Sequence, residues 1–147
     1  RGRVTDETLD FLHQCFAHDV IESNGQPLRF APRPARPPFL VGGAAEVAIP
    51  RAVTRGDGLM PVGMLPAELS VCVEAFNEQA SAAGRSDLDV IARKTLPLEK
   101  PDEAIAMAMA YRDAGATELV HTQGVSGPDE YHQLVEFLDS QLLPEVS

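Results

Sequence analysis

The chain has 147 residues, enough for one domain, and its apolar (44%) and charged (23%) fractions are those of an ordinary soluble globular protein. A formal net charge of -10 at pH 7 argues against non-specific nucleic-acid binding, which calls for Lys and Arg. With no bilayer-length apolar run and no signal-peptide pattern, a membrane partner is not expected and a cytoplasmic location is.

Thr5 or Asp6 is expected to cap a first helix, with Leu9, Leu12 and Phe16 on one face and an end near Asp19. Residues 20–31 read as a hairpin turning at Asn24-Gly25, since both residues tolerate positive φ. Prolines 32, 34, 37 and 38 then force an extended connector. FLVGG, residues 39–43, is a continuous apolar run, as in a parallel strand buried on both faces. A helix follows from about Ala44 to Arg55, stopped at Gly56, with Pro50 expected to kink it or shift its start.

Three more units repeat the pattern. LMPVG, residues 59–63, reads as strand and loop before a helix opened by Pro66 and ended by Gly84. LDVIARK, residues 88–94, precedes a helix that starts at Pro101 and stops at Gly115. ELVHT, residues 118–122, precedes a last helix from Pro128, with Leu134, Val135, Leu138 and Leu142 inside. Cys15 and Cys72 sit among apolar residues at helical spacing and are read as buried free thiols. No metal motif, Walker loop or Ser/His/Asp arrangement is present, so no metal is expected.

Strand and helix thus alternate four times, about 30 residues per unit, as βαβ crossovers require. The predicted class is α/β: a partial (β/α)8 barrel of four parallel strands with their helices, plus a small β-hairpin insertion. One domain spans 1–147: a helix (1–19), the hairpin and Pro-rich connector (20–38), and four β/α units (39–147). A closed barrel takes roughly 250 residues, and the chain opens at Arg1 directly into a helix-like segment. An incomplete or trimmed chain is therefore expected, with about four more strands upstream. A complete four-stranded α/β domain is the competing reading.

Residues 37–69 carry a resemblance. Pro37-Pro38, Val41-Gly42-Gly43, Arg51-Ala52, Gly56-Asp57-Gly58 and Pro66-Ala67-Glu68-Leu69 resemble, in order and spacing, a recurrent stretch of the luciferase-like monooxygenases. The opening GRVTDETLDFL and the closing AGATELV and EFLDSQLLP are similar to other parts of that family's C-terminal half. The resemblance implies a flavin- or deazaflavin-dependent oxidoreductase or monooxygenase acting on a small-molecule substrate. It also implies a coenzyme, FMN or coenzyme F-420, at the C-terminal ends of the strands. Its phosphate would lie at Val41, Gly42, Gly43 and Ala44 and at Val62 and Gly63.

The glycines make physical sense there. Where a parallel strand yields to a helix, main-chain N–H groups and the helix dipole favour an anion, and glycine lets it approach. Relatives often place a hydroxyl or Lys near the second segment, where this sequence has Val62, Gly63 and Met64; backbone rather than side-chain contact is therefore expected. His121 ends the fourth strand and is the one candidate for acid–base work. Arg93 and Lys94 end the third strand, and one of the two must point outward. Arg51 and Asp57 are read as structural, and His13, His18 and His132 as surface residues. The competing function is a non-catalytic half-barrel that serves as scaffold or oligomerisation partner. Either way a homo-oligomer, or completion by the missing N-terminal half, is expected.

Overall fold

The computed structural model describes residues 2–146. Helix α1 (Gly2–Ala17) begins three residues ahead of the expected cap and stops two before Asp19. The reason lies in what its acids do. Asp6 accepts from the Arg51 Nε at 2.6 Å and Asp10 from the Arg55 Nε at 2.9 Å. Carboxylates four apart on α1 thus meet arginines four apart on the helix beside it, and neither serves as an N-cap. The hairpin follows as β1 (Val20–Ser23) and β2 (Gln26–Arg29), antiparallel. Asn24 (φ 53°) and Gly25 (φ 73°) make the two-residue turn.

The four units are β3 (Leu40–Val41) with α2 (Ala45–Arg55), β4 (Gly58–Leu59) with α3 (Pro66–Ala82), β5 (Asp89–Lys94) with α4 (Pro101–Asp113), and β6 (Glu118–His121) with α5 (Pro128–Phe137). The last helix continues through a π-helical segment, Leu138–Leu142, into α6 (Leu143–Val146). The strands of these four units run parallel in the order β3-β4-β5-β6, with β3 and β6 outermost among the described residues. This is the fold of a partial (β/α)8 barrel. No helix among the described residues is long and apolar enough to cross a membrane.

Two strands are shorter than residues 39–43 and 59–63 suggested. β3 ends at Val41, as the chain turns to φ +132° at Gly43; Gly42 before it passes so close to Met60 that a Cβ would stand 3.0 Å from the Met60 carbonyl oxygen. β4 occupies Gly58–Leu59 because Pro61 has no N–H for the ladder; beyond it Val62 makes one isolated parallel bridge to Arg93. Pro50 stays inside α2 and does not shift its start.

Alternation along the strands decides which residues meet the helices. Val41, Leu59, Val90, Ala92 and Leu119 face the helical layer, where they pack with Ile49, Ala52, Val73, Phe76 and Tyr111. Leu40, Gly58, Ile91, Arg93, Glu118 and Val120 take the opposite, barrel-interior face. Cys15 and Cys72 are buried free thiols, and burial pushes the Cys72 thiol up.

Asp57, between two glycines, ties the start of the sheet together. Its carboxylate accepts two bonds from the Arg36 guanidinium, both at 2.6 Å, and one from the Phe39 N–H at 2.6 Å. The proline connector is thereby pinned to β4, and Arg36 also lies 5.0 Å from the Phe39 ring centre. The Arg36 bonds foremost, and then the Phe39 N–H, hold the carboxyl at about 2, against an ordinary 3.8. A depressed acid stabilises the fold above its unfolded pKa, and that contribution is lost as pH falls through the folded one. Asp57→Asn is therefore expected to cost about 1–2 kcal/mol at pH 7, the partial exposure of the pair taking it below the full linkage value. The difference in urea midpoint from the parent should shrink as pH is lowered from about 4 to 2. A difference independent of pH would show that the Arg36 pair stabilises nothing.

Candidate functional site

The C-terminal ends of the parallel strands form one rim, and two exposed glycine segments lie on it. Gly42, Gly43 and Ala44 follow β3; Val62 and Gly63 follow β4. Gly43 (φ +132°) and Gly63 (φ +78°) need glycine for their backbone alone. A Cβ on Gly63 would meet nothing within 4 Å, so that segment is open to an approaching group. Ala44 caps α2 through its carbonyl, which accepts from the Val47 and Ala48 N–H groups at 3.0 and 2.9 Å. The first N–H groups of α2 are left at the rim, at the positive end of the helix. β3 and β4 are direct neighbours, so the two glycine segments are adjacent as well.

The structure separates Arg93 from Lys94. Arg93 pairs in register with Val120 on the barrel-interior face, bridges to Val62, and is exposed. No ion pair engages it among the described residues. Lys94 pairs with His121 and takes the helix-facing alternation. The backbone of Arg93 is thereby bridged to the Val62–Gly63 segment.

His121 belongs to a different surface. It lines a cavity of about 450 Å³ between β6, α4 and the C-terminal helix, whose floor is Leu96, Ala108, Leu119, Leu138 and Leu142. That cavity contains none of the rim glycines. The His121 Nδ1 accepts from the Leu96 N–H at 3.1 Å, and Nε2 faces the Gln123 Oε1 at 3.2 Å. An acceptor role for Nδ1 requires the neutral tautomer with hydrogen on Nε2, which then donates to Gln123. The ring thus fastens the loop after β5 to the end of β6.

Arg51 and Asp57 are structural, as their ion pairs with Asp6 and Arg36 state. His13 is not a surface residue: half-buried, it donates from Nε2 to the Arg55 carbonyl at 2.8 Å and meets the Phe39 ring edge-on at 5.1 Å. His18 and His132 are exposed. Among the described residues no cluster of three or more His, Cys, Asp or Glu is arranged to hold a metal.

One supporting contact gives no sequence signal. Tyr111 of α4 is fully buried and donates its hydroxyl to the Met64 carbonyl at 2.8 Å. It holds the residue immediately after Gly63. Only the length of the tyrosine and the need to satisfy a buried hydroxyl hint at such a bond.

Comparison with known proteins adds three findings. A family model for luciferase-like monooxygenases matches residues 1–141. No curated protein sequence matches the chain. Among solved structures, the chain is similar to a coenzyme F-420-dependent tetrahydromethanopterin reductase from Methanopyrus kandleri, with TM-score 0.65 and 16% identity. It is also similar to an F-420-dependent secondary alcohol dehydrogenase described in complex with an F-420–acetone adduct, with TM-score 0.70 and 16% identity. Each match covers 99% of this chain and 62% of the other, so the chain spans less than two thirds of either. At that identity the likeness speaks for the fold.

Proposed function

The chain belongs to the luciferase-like monooxygenase family, and from that premise we propose that it forms the coenzyme-phosphate side of a flavin- or deazaflavin-dependent oxidoreductase. The observation that carries the reading is the rim itself: Gly42–Gly43 and Gly63 exposed at the ends of neighbouring parallel strands, with Arg93 beside the second segment. Such a cradle suits the phosphate of FMN or of coenzyme F-420, both phosphate-bearing. The bound coenzyme supplies the redox chemistry, and the chain supplies orientation and electrostatics. Main-chain N–H groups at Gly42, Gly43 and Gly63 take the phosphate oxygens, and the Arg93 guanidinium offsets their charge. Tyr111 keeps the second segment in place through Met64. The substrate is a small molecule. The remaining strands of the barrel complete the pocket around the reacting ring. His121, bonded on the helix-facing side, is assigned no catalytic step.

Titration of the chain with FMN and with coenzyme F-420, followed by coenzyme fluorescence, tests the reading. Asp and Asn both tolerate positive φ, so Gly63→Asp and Gly63→Asn differ mainly in charge. Gly63→Asp is expected to weaken binding at least about tenfold relative to Gly63→Asn, through one like charge at contact distance. Equal affinity of the two variants, or no binding of either coenzyme by the parent chain, would sink the proposal.

The competing reading, a half-barrel that acts as scaffold, draws on a separate observation: Leu40 and Val120 on the barrel-interior face are more than a third exposed. A chain that binds neither coenzyme yet forms a defined assembly would favour it.

A further inference from the structure

An Asn or Asp side chain stands directly before a glycine twice in the chain, at Asn24-Gly25 and at Asp57-Gly58. In such a pair the side-chain Cγ and the next main-chain nitrogen can close a five-membered ring, and glycine has no Cβ to hinder the closure. The fold treats the two pairs oppositely. The Asp57 carboxylate is held by three bonds of 2.6 Å, two from Arg36 and one from the Phe39 N–H. Gly58 lies inside β4, with no room for so much as a Cβ beside Asp89. Ring closure there is blocked from both sides.

At the hairpin tip neither restraint exists. Among the described residues no hydrogen bond holds the Asn24 side chain or the Gly25 N–H. A Cβ built on Gly25 meets nothing within 4 Å, so the space around its nitrogen is open. The strands behind the turn are four residues each, every residue of β2 is exposed, and Ile21 is the one buried residue of the pair. A two-stranded ribbon this short opens at small cost, which gives the tip the freedom to bring Cγ and nitrogen together.

From these features we propose that Asn24 is a site of spontaneous deamidation, and that the isoaspartyl product undoes the hairpin. The Gly25 nitrogen, having lost its proton to hydroxide, attacks the Asn24 Cγ. The N–Cγ bond forms, the Cγ–Nδ2 bond breaks, and ammonia leaves with a proton taken from water. Water then opens the succinimide at one of its two carbonyls, giving aspartate or isoaspartate at position 24; the net change is one water consumed and one ammonia released. Isoaspartate routes the backbone through the side-chain carbon and lengthens the turn. The two-residue turn that sets the Ile21–Leu28 register is then lost, and with it the placement of Ile21. This inference is independent of the coenzyme.

Incubation of the folded full chain at mildly alkaline pH, followed by tryptic mass spectrometry, is the test. Trypsin releases residues 4–29 as one peptide and residues 56–85 as another. The first is expected to gain the mass that separates a carboxyl from an amide, faster as pH rises, and to split into two chromatographic forms. The second should stay unchanged. It carries the clamped Asp57-Gly58 pair and also Asn77, which lies within α3, where the following N–H is tied into the helix. The Asn24→Asp chain should show no mass gain in residues 4–29, which fixes the site. It should also keep the hydrogen-exchange protection of Ile21 and Leu28, whereas the isoaspartyl protein loses it. A peptide 4–29 that keeps its mass over the time in which the chain unfolded in guanidinium reacts would overturn the proposal, because the folded turn would then hold the two groups apart. Reaction at Asn77 as fast as at Asn24 would overturn it too. So would an isoaspartyl protein whose hairpin is protected as well as that of Asn24→Asp.

Discussion

Phe76→Ala is expected to remove about 3–5 kcal/mol of stability, the usual cost of deleting a buried aromatic ring. A domain of this size holds about 5–15 kcal/mol in total, so the loss removes a large share of it and, at the low end of that range, nearly all. Phe76 has no exposed surface and sits midway along α3, in a stripe of Leu69, Cys72, Val73, Phe76 and Ala80 that follows helical spacing. Its ring belongs to the cluster that contains Leu59 of β4, Val90 and Ala92 of β5 and Tyr111 of α4. Several elements therefore lose contact at once, and relaxation around the hole is limited because Tyr111 is bonded to Met64. Urea denaturation followed by circular dichroism reads the effect. Val71→Ala on the same helix, 68% exposed, should cost within about 0.5 kcal/mol. If the two variants denature alike, the core does not lie between α3 and the sheet.

The architecture was legible because its signals are local. Pro66, Pro101 and Pro128 each sit at the first turn of a helix, where the missing N–H costs nothing. Asn24-Gly25 turns the hairpin, and Gly115 leaves α4 at φ +96°. Four apolar runs gave four parallel strands. What escaped the sequence is long-range. Nothing near Asp6 announces that it will meet Arg51, 45 residues away, rather than cap its own helix. The partnership of Asp57 with Arg36 spans the proline connector and is equally invisible. For Arg93 and Lys94 the sequence offers a choice that only strand register resolves, and that register sends Arg93 to the rim side and His121 to the helices. Gly42 and Gly43 follow β3 and Gly63 follows β4, with positive φ at Gly43 and Gly63, and such strand ends and turns are local properties that a sequence shows. Their relation to a coenzyme depends on groups beyond any one segment.

Gly58→Ala is expected to be the most damaging single-methyl change in the sheet. Gly58 lies in β4 between Leu40 and Asp89, and a Cβ there would stand 2.6 Å from the Asp89 carbonyl oxygen and 3.0 Å from its Cβ. The first of these neighbours is backbone in a hydrogen-bonded strand and cannot swing aside. Relief requires β4 and β5 to separate, which loosens the pairing that follows, Leu59 with Val90. An overpacked site of this kind costs about 1–3 kcal/mol even where side chains can yield, and here backbone must move, so about 3 kcal/mol is expected. Gly124→Ala provides the contrast, since its added methyl meets nothing within 4 Å and its φ lies outside the left-handed region; it should be neutral within about 0.5 kcal/mol. Thermal melts of the two variants separate backbone crowding from the general effect of replacing a glycine. The consequence reaches the rim, because the Val62–Gly63 segment follows β4, Arg93 is the penultimate residue of β5, and the Val62–Arg93 bridge joins them. A strand pair forced apart at Gly58 therefore displaces the second glycine segment from Arg93. Under the proposed function, coenzyme affinity should fall with stability in Gly58→Ala. In Gly63→Asp it should fall below that of Gly63→Asn while the melting temperatures of those two variants stay together, since both bear the same backbone strain. A Gly58→Ala protein that melts like the parent would mean that β4 and β5 are not packed at the distance on which this account of the sheet depends.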